Sequence, residues 1–294
     1  MKYFDAHAHI SSFDKYYGSI ESLLKTCEKE RIIKIVDTAI DLKISIKVLD
    51  NFNKFPDLII PVCGLHPEIL IPGSDIYDSK FNCDKEFRKF EKFFNKNKDN
   101  IRAVGECGLD YYWLDRNKEL NEIQKSEIKQ KQVELFTRLI ILSNINNLPL
   151  VIHSRGAEKE CLSIVNLLFY AKASKSKQMT IPKRPKILFH CFTGDIRLAE
   201  EILKAGYYIS FNGILTYKSG DNIRKILKLA WEKYRDLILV ETDSPYLSPI
   251  PVKGEICKPY FIKYTIQAVS KIVNIRDQIV SDTVNSNASE FFKI

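Results

Sequence analysis

Residues 3–10 read Tyr3-Phe4-Asp5-Ala6-His7-Ala8-His9-Ile10. Polar and apolar residues alternate along this stretch, which suits a β-strand whose successive side chains leave on opposite faces. On that reading Asp5, His7 and His9 share one face. Two imidazoles two residues apart at a strand end can grip one cation.

Seven further runs rich in Val, Ile, Phe and Tyr follow, at residues 33–40, 58–66, 101–110, 149–155, 186–192, 207–213 and 237–242. Helical periodicity fills the gaps, at 19–30, 44–52, 85–94, 127–144, 158–170, 197–205 and 222–233, with two more stretches at 260–273 and 277–292. Strands alternating with helices imply parallel pairing through crossover helices. Eight such units predict an α/β chain folded as a single (β/α)8 TIM barrel over residues 1–294, with its site at the C-terminal ends of the strands. An open doubly wound sheet is the alternative, but it would usually carry a glycine-rich phosphate loop after an early strand, and the sequence has none.

A chain of 294 residues with 45% hydrophobic content can bury one large core. Its seven cysteines form no CxxC pair, which argues against a disulfide framework and for a reducing compartment. No apolar run of signal-peptide type follows Lys2, and no segment is long and apolar enough to span a bilayer. The expectation is a cytoplasmic protein without membrane partners, the nucleus being the alternative. Lys and Arg number 45 against 37 Asp and Glu, and the resulting +8 is compatible with a polyanionic partner without demanding one. The basic cluster Lys172, Lys175, Lys177, Lys183, Arg184 and Lys186 reads as a solvated loop.

The chemistry gathers at the predicted strand ends. After His7 and His9 come His66, Glu106, His153, His190 and Asp243, each closing a different strand. A lone histidine at a strand end is more often a hydrogen-bonded core residue than a ligand. All five histidines of the chain on one rim, joined by two carboxylates, point instead to a metal centre of Zn, Mn, Fe or Mg type. Cys107 and Cys191, one position from Glu106 and His190, are expected to turn away into the core. Asp5 and Asp110 are candidates for orienting a ligating histidine, and Asp110 equally for capping a turn. Arg155 is read as a phosphate contact or a structural ion pair. Tyr111, Tyr112 and Trp113 are read as a base-stacking surface or as a self-packed lid.

The segments DAHAHI, GLHP, GECGLDYY, LPLVIHSR, HCFTG, YYISFNG and ETDSPYL, in this order from Tyr3 to Leu247, resemble the TatD-type metal-dependent deoxyribonucleases, with Asn287 and Phe291 as a weaker tail match. The resemblance implies two divalent metal ions, Mg for activity with Zn or Mn able to replace it. His7, His9 and Asp243 would hold one, His153 and His190 the other, and Glu106 would bridge them. It implies hydrolysis of DNA phosphodiester bonds, as a 3′→5′ exonuclease on single strands. Catalytic roles would fall to Asp243 as general base, to Glu106, and to His66 at the scissile phosphate or leaving group. Substrate contacts would come from His66, Arg155 and Lys253.

The sequence departs from the family pattern after strand eight. Where the family has an Arg-Gly-Lys stretch followed by Asn-Glu-Pro, this chain has Lys253 and, further on, Cys257-Lys258-Pro259. Lysine does not reproduce a planar bidentate arginine contact. Leu139 stands where a glutamine is common. The competing reading is an amidohydrolase-type enzyme cutting a C–N or ester bond in a small molecule, since that wider group shares the His-x-His strand. Many of its binuclear members bridge the metals with a carboxylated lysine on strand four, where this chain has Glu106. A non-catalytic binding protein is the third reading, and the complete set of candidate ligands argues against it.

Overall fold

The computed structural model describes residues 1–173 and 186–294. Lys175, Lys177, Lys183 and Arg184 of the basic cluster, the side chain of Lys172, and the loop of residues 174–185 lie outside the described residues. Eight strands form one parallel sheet in sequence order: β1 (Tyr3–Ala8), β2 (Ile32–Thr38), β3 (Ile59–Cys63), β4 (Ala103–Asp110), β5 (Leu150–Arg155), β6 (Ile187–Phe189), β7 (Tyr208–Phe211) and β8 (Ile238–Val240). Past the last strand, the N–H of Asp243 donates to the His7 carbonyl (3.0 Å) and that of His9 to the Ser244 carbonyl (2.8 Å). The cylinder is thereby drawn together at its C-terminal rim.

The helices are α1 (Ile20–Lys29), α2 (Leu42–Lys54), α3 (Cys83–Asn97), α4 (Tyr112–Arg116), α5 (Glu122–Ile145), α6 (Glu158–Ala173), α7 (Ile196–Lys204), α8 (Asp221–Lys233), α9 (Ile262–Val273) and α10 (Asp277–Phe292). Their starts follow capping chemistry. Ser19, Asp41, Asn82 and Asp195 each accept a backbone N–H of the first turn, and Asn121 with Gln124 forms a reciprocal capping box. None of the described helices is long and apolar enough to cross a membrane. The five-residue α4 was not anticipated, being too short for periodicity to reveal.

Two apolar layers result. Phe4, Ala6, Val36, Val62, Ala103, Val151, Leu188 and Leu239 fill the barrel, and Phe291 and Phe292 of α10 join them. Phe292 lies 6.2 Å from the Phe4 ring and Phe291 5.0 Å from the Tyr208 ring, centroid to centroid. Burying each phenyl ring is worth roughly 2–3 kcal/mol. Asn287 holds α10 in place by donating to the carbonyls of Arg235 (2.8 Å) and Ile238 (2.9 Å). The outer layer packs the other strand faces on the helices and includes Ile35, Ile59, Val104, Cys107, Ile152, Phe189, Phe211 and Leu139. Leu139 is thus a core residue.

One expectation about β1 fails. Its pairing with β2 shifts register between Asp5 and Ala8, so simple alternation does not run through the strand. Phe4 and Ala6 both fill the barrel, and the Asp5 carboxylate leaves the face of His7 and His9. It accepts instead from Thr242, through N–H (2.8 Å) and Oγ1–H (2.6 Å). β4 shifts register in the same way between Val104 and Cys107. Ala103 therefore lines the barrel while Cys107, four positions on, packs outward.

Candidate metal centre

His7, His9, His66, Glu106, His190 and Asp243 are all buried, and His153 is only slightly more open. Burying so many ionisable groups is costly unless they satisfy one another or hold a cation. The structure brings all seven together at the C-terminal rim, with Glu106 at the centre. Its Oε1 lies 2.6 Å from His190 Nε2, 2.9 Å from His153 Nδ1 and 3.3 Å from His66 Nε2. Its Oε2 lies 3.2 Å from His9 Nε2 and 3.4 Å from His7 Nε2. Asp243 Oδ1 completes the second group, at 3.6 Å from His9 Nε2 and 3.9 Å from His7 Nε2.

Close strand packing makes this convergence possible. A Cβ on Gly64 would lie 2.4 Å from the Gly105 carbonyl carbon, and one on Gly108, whose φ is +144°, would lie 2.0 Å from the His153 carbonyl oxygen. Only glycine permits β3, β4 and β5 to approach this far. Asp243 lies beyond β8, on a turn with φ of +57°, a conformation that aspartate tolerates better than most residues.

The residues fit divalent cations. His9 Nδ1 lies 2.9 Å from the Thr38 carbonyl, which can only accept, so the neutral ring carries its proton there and its Nε2 lone pair faces the cluster. That nitrogen lies 3.1 Å from His7 Nε2, and the fully buried Glu106 Oε2 beside them has no hydrogen-bond partner among the described residues. Converging imidazole nitrogens and an orphaned carboxylate oxygen are what a cation satisfies. Groups able to hold a metal are His7, His9 and Asp243 on one side, and His66, Glu106 and His153 on the other, with His7, His190 and Glu241 as a further set.

The electrostatics agree. Burial raises the Glu106 pKa, but His190, His66 and His153 outweigh it and hold the carboxyl well below its usual range. Burial and the stacked His190 ring, 3.9 Å away, push His7 down to about 4. Burial also opposes a charge on His153, yet Asp110 and Glu106 together lift it to about 10. Burial lifts Asp243 to about 6 against the pull of His190 and His9.

Several expectations are sharpened or corrected by the geometry. Asp110 does both things foreseen for it: Oδ2 holds His153 Nε2 (3.0 Å) and Oδ1 accepts the Trp113 N–H (3.0 Å). Cys107 is a core residue whose thiol points to the Val151 carbonyl. Cys191 does not turn away into the core, because its φ of +45° breaks the alternation. Its sulfur accepts from Asn212 (3.0 Å), and burial with Asp243 and Glu241 pushes the thiol pKa well up. Arg155 makes no ion pair among the described residues and lies over the rings of Tyr112 (4.2 Å) and Trp113 (5.0 Å). Lys253 stays outside the cluster, exposed, with its ammonium 4.2 Å from the Tyr217 ring centroid. In the altered loop, Cys257 is fully buried and donates its N–H to the Pro245 carbonyl (3.0 Å).

Two residues were missed. Glu241 is fully buried, accepts the Cys191 N–H (2.7 Å) and lies 3.6 Å from His190 Nδ1. Its spacing of two from Asp243 was the available signal, the same spacing that joins His7 to His9. Gln132 of α5, also fully buried, accepts the Asp110 N–H (3.1 Å) and donates to the Pro67 carbonyl (3.3 Å). One glutamine among the three of α5 carries no signal of that kind.

The sequence model described as TatD related DNase matches residues 4–293. The chain is 27% identical over 291 residues to an uncharacterized metal-dependent hydrolase of Bacillus subtilis, YabD, covering 99% of both chains. It is 28% identical over 294 residues to an uncharacterized metal-dependent hydrolase of Methanocaldococcus jannaschii, MJ1582, covering 100% of this chain and 98% of that one. Among solved structures, the TatD homologue YjjV of Escherichia coli superposes with a TM-score of 0.80 at 20% identity, over 99% of this chain and 98% of the other. An uncharacterized amidohydrolase of Saccharomyces cerevisiae superposes with a TM-score of 0.77 at 16% identity, over 99% of both chains. At those identities the two structures speak for the fold.

Proposed function

This chain belongs to the family of TatD-related DNases, and from that premise we propose that it is a metal-dependent deoxyribonuclease acting on phosphodiester bonds, in the 3′→5′ direction on single strands. The observation that carries the reading is the division of Glu106 between two histidine groups, Oε2 toward His7 and His9 and Oε1 toward His153 and His190. A carboxylate so placed can bridge two cations. His7, His9 and Asp243 would hold one and His153 and His190 the other. Divalent ions held there, Mg in the first place, would supply a Lewis acid for water and for the charge that builds on phosphorus.

The chain's own residues supply the rest. Asp243 has 13% of its side chain exposed against 1% for Glu106, so it is the carboxylate of this pair that an entering water can reach. It is assigned the role of general base. His66 accepts the Glu68 N–H at Nδ1 (3.2 Å), which places the proton of the neutral ring on Nε2, directed into the site. A ring in that tautomer is a donor rather than a ligand, and His66 is assigned to the phosphate or to leaving-group protonation. Arg155 offers a fixed positive charge beside His153, and Lys253 a more distant one on the rim.

The amidohydrolase reading is the weaker one for a physical reason. A carboxylated-lysine bridge needs a buried lysine, and none of the described residues buried in this protein is a lysine. The deciding experiment is digestion of end-labelled single- and double-stranded oligonucleotides with Mg, Mn, Zn or EDTA, alongside a panel of amides and lactones. Metal-dependent shortening from the 3′ end, weakening with salt, is expected. Turnover of amides or lactones with intact oligonucleotides would overturn the reading.

A further inference from the structure

Next to His153 the chain places aromatic surface in water. Tyr111 and Leu114 are buried, yet Trp113 of α4 is 46% exposed. It meets Tyr112 edge to face, at 5.2 Å and 83°, so the pair is not closed into a parallel stack. Two guanidinium groups lie against these rings. Arg116 sits 3.6 Å from the Tyr112 centroid, and Arg155 4.2 Å from Tyr112 and 5.0 Å from Trp113. Among the described residues neither arginine is in an ion pair, while Asp115, directly before Arg116, is taken by Lys129 (2.7 Å).

This surface is joined rigidly to the metal centre. Asp110 accepts the Trp113 N–H with one oxygen and holds His153 with the other, both at 3.0 Å. Arg155 follows His153 by two residues on β5, and the Tyr111 N–H donates to its carbonyl (2.9 Å). A self-packed lid would bury its aromatic rings and neutralise its charges; here the indole is half open, and no carboxylate among the described residues pairs with Arg155 or with Arg116, which donates only to the Tyr112 carbonyl (3.2 Å). Aromatic faces bordered by guanidinium charge suit a nucleobase with its flanking phosphates, because every base has a π-face and every linkage is anionic.

We propose that Trp113, bordered by Tyr112, Arg116 and Arg155, is a ledge on which a nucleobase flanking the scissile phosphodiester of a single strand stacks. A paired base is already stacked in its duplex, so the ledge favours single strands. The inference rests on the nuclease reading above. The test compares KM for a single-stranded octanucleotide with KM for an abasic octamer of the same phosphate count. The wild type is expected to prefer the base-bearing strand by about tenfold. The preference collapses toward one in Trp113→Leu, which keeps an apolar side chain without a π-face, and returns in Trp113→Phe; thermal melting of each variant confirms folding. If the wild type cuts both strands with equal KM, or Trp113→Leu keeps the preference, the ledge is refuted and the nuclease reading stands. If the wild type cuts neither strand, the nuclease reading falls and the ledge with it.

Discussion

Asp5 and Thr242 clasp the first strand to the residues following the last: the aspartate accepts the threonine N–H at 2.8 Å and its hydroxyl at 2.6 Å. Asp243 is the next residue, and its own N–H is bonded to the His7 carbonyl. The clasp therefore sets where Asp243 stands relative to His7 and His9. Asp5→Ala is expected to leave the Thr242 donors buried and unpaired, costing roughly 2–4 kcal/mol of stability. It should also weaken metal binding by about 10–100-fold. Calorimetric titration with Mn, together with a melting curve, checks both. Unchanged affinity would show that Asp243 is positioned without Asp5.

Glu106 is the hinge of the two-cation reading. Glu106→Gln keeps the shape and removes the charge, so metal content should fall below that of the wild type and hydrolysis by at least about a hundredfold. In the wild type, saturating metal at a hundred times Kd should raise stability by about 2.7 kcal/mol per site, and EDTA should reverse it. Elemental analysis and melting with and without chelator are the measurements. Full metal content in the variant would remove Glu106 from the centre.

Gln132 makes its prediction in stability alone. Its amide serves the Asp110 N–H and the Pro67 carbonyl, the latter directly after His66. Gln132→Ala should destabilise the metal-free protein by roughly 2–4 kcal/mol through stranded backbone groups and the cavity left behind. Denaturant unfolding in EDTA reads this directly. A loss under half a kcal/mol, on the order of a surface substitution, would contradict it.

Asp37 gives a pH dependence. It is fully buried, accepts the N–H (3.1 Å) and the hydroxyl of Ser11, and burial lifts its pKa to about 6 despite those hydrogen bonds. A carboxyl raised in the folded state favours folding while protonated. Its contribution is present in full below the unfolded pKa near 4 and is lost as pH rises through about 6. The linked free energy is on the order of 3 kcal/mol. Asn at this position cannot ionise, so the melting temperature of Asp37→Asn relative to wild type should improve between pH 4 and pH 7 in EDTA. A difference that stays flat across that interval would refute the shift.

The eight strands, the principal helices and the gathering of histidines at one rim were legible in the sequence. Each depends on local periodicity, and a strand end is a strand end wherever the chain later goes. The order of the motifs from Tyr3 to Leu247 also carried the resemblance to the family. Tertiary structure alone decided which groups meet. The register shift in β1 sent Asp5 outward, where alternation had predicted otherwise, whereas Cys107 of β4 packs outward as alternation predicted. The positive φ at Cys191 kept its thiol off the core, and the exposure of Trp113 was settled by how α4 packs rather than by its residue types. The physical reason is one of range. Propensity and alternation act over a few residues, whereas the closure between Asp5 and Thr242 joins positions 237 residues apart. Only the closed barrel fixes the distances among His7, Glu106 and Asp243 on which the chemistry depends.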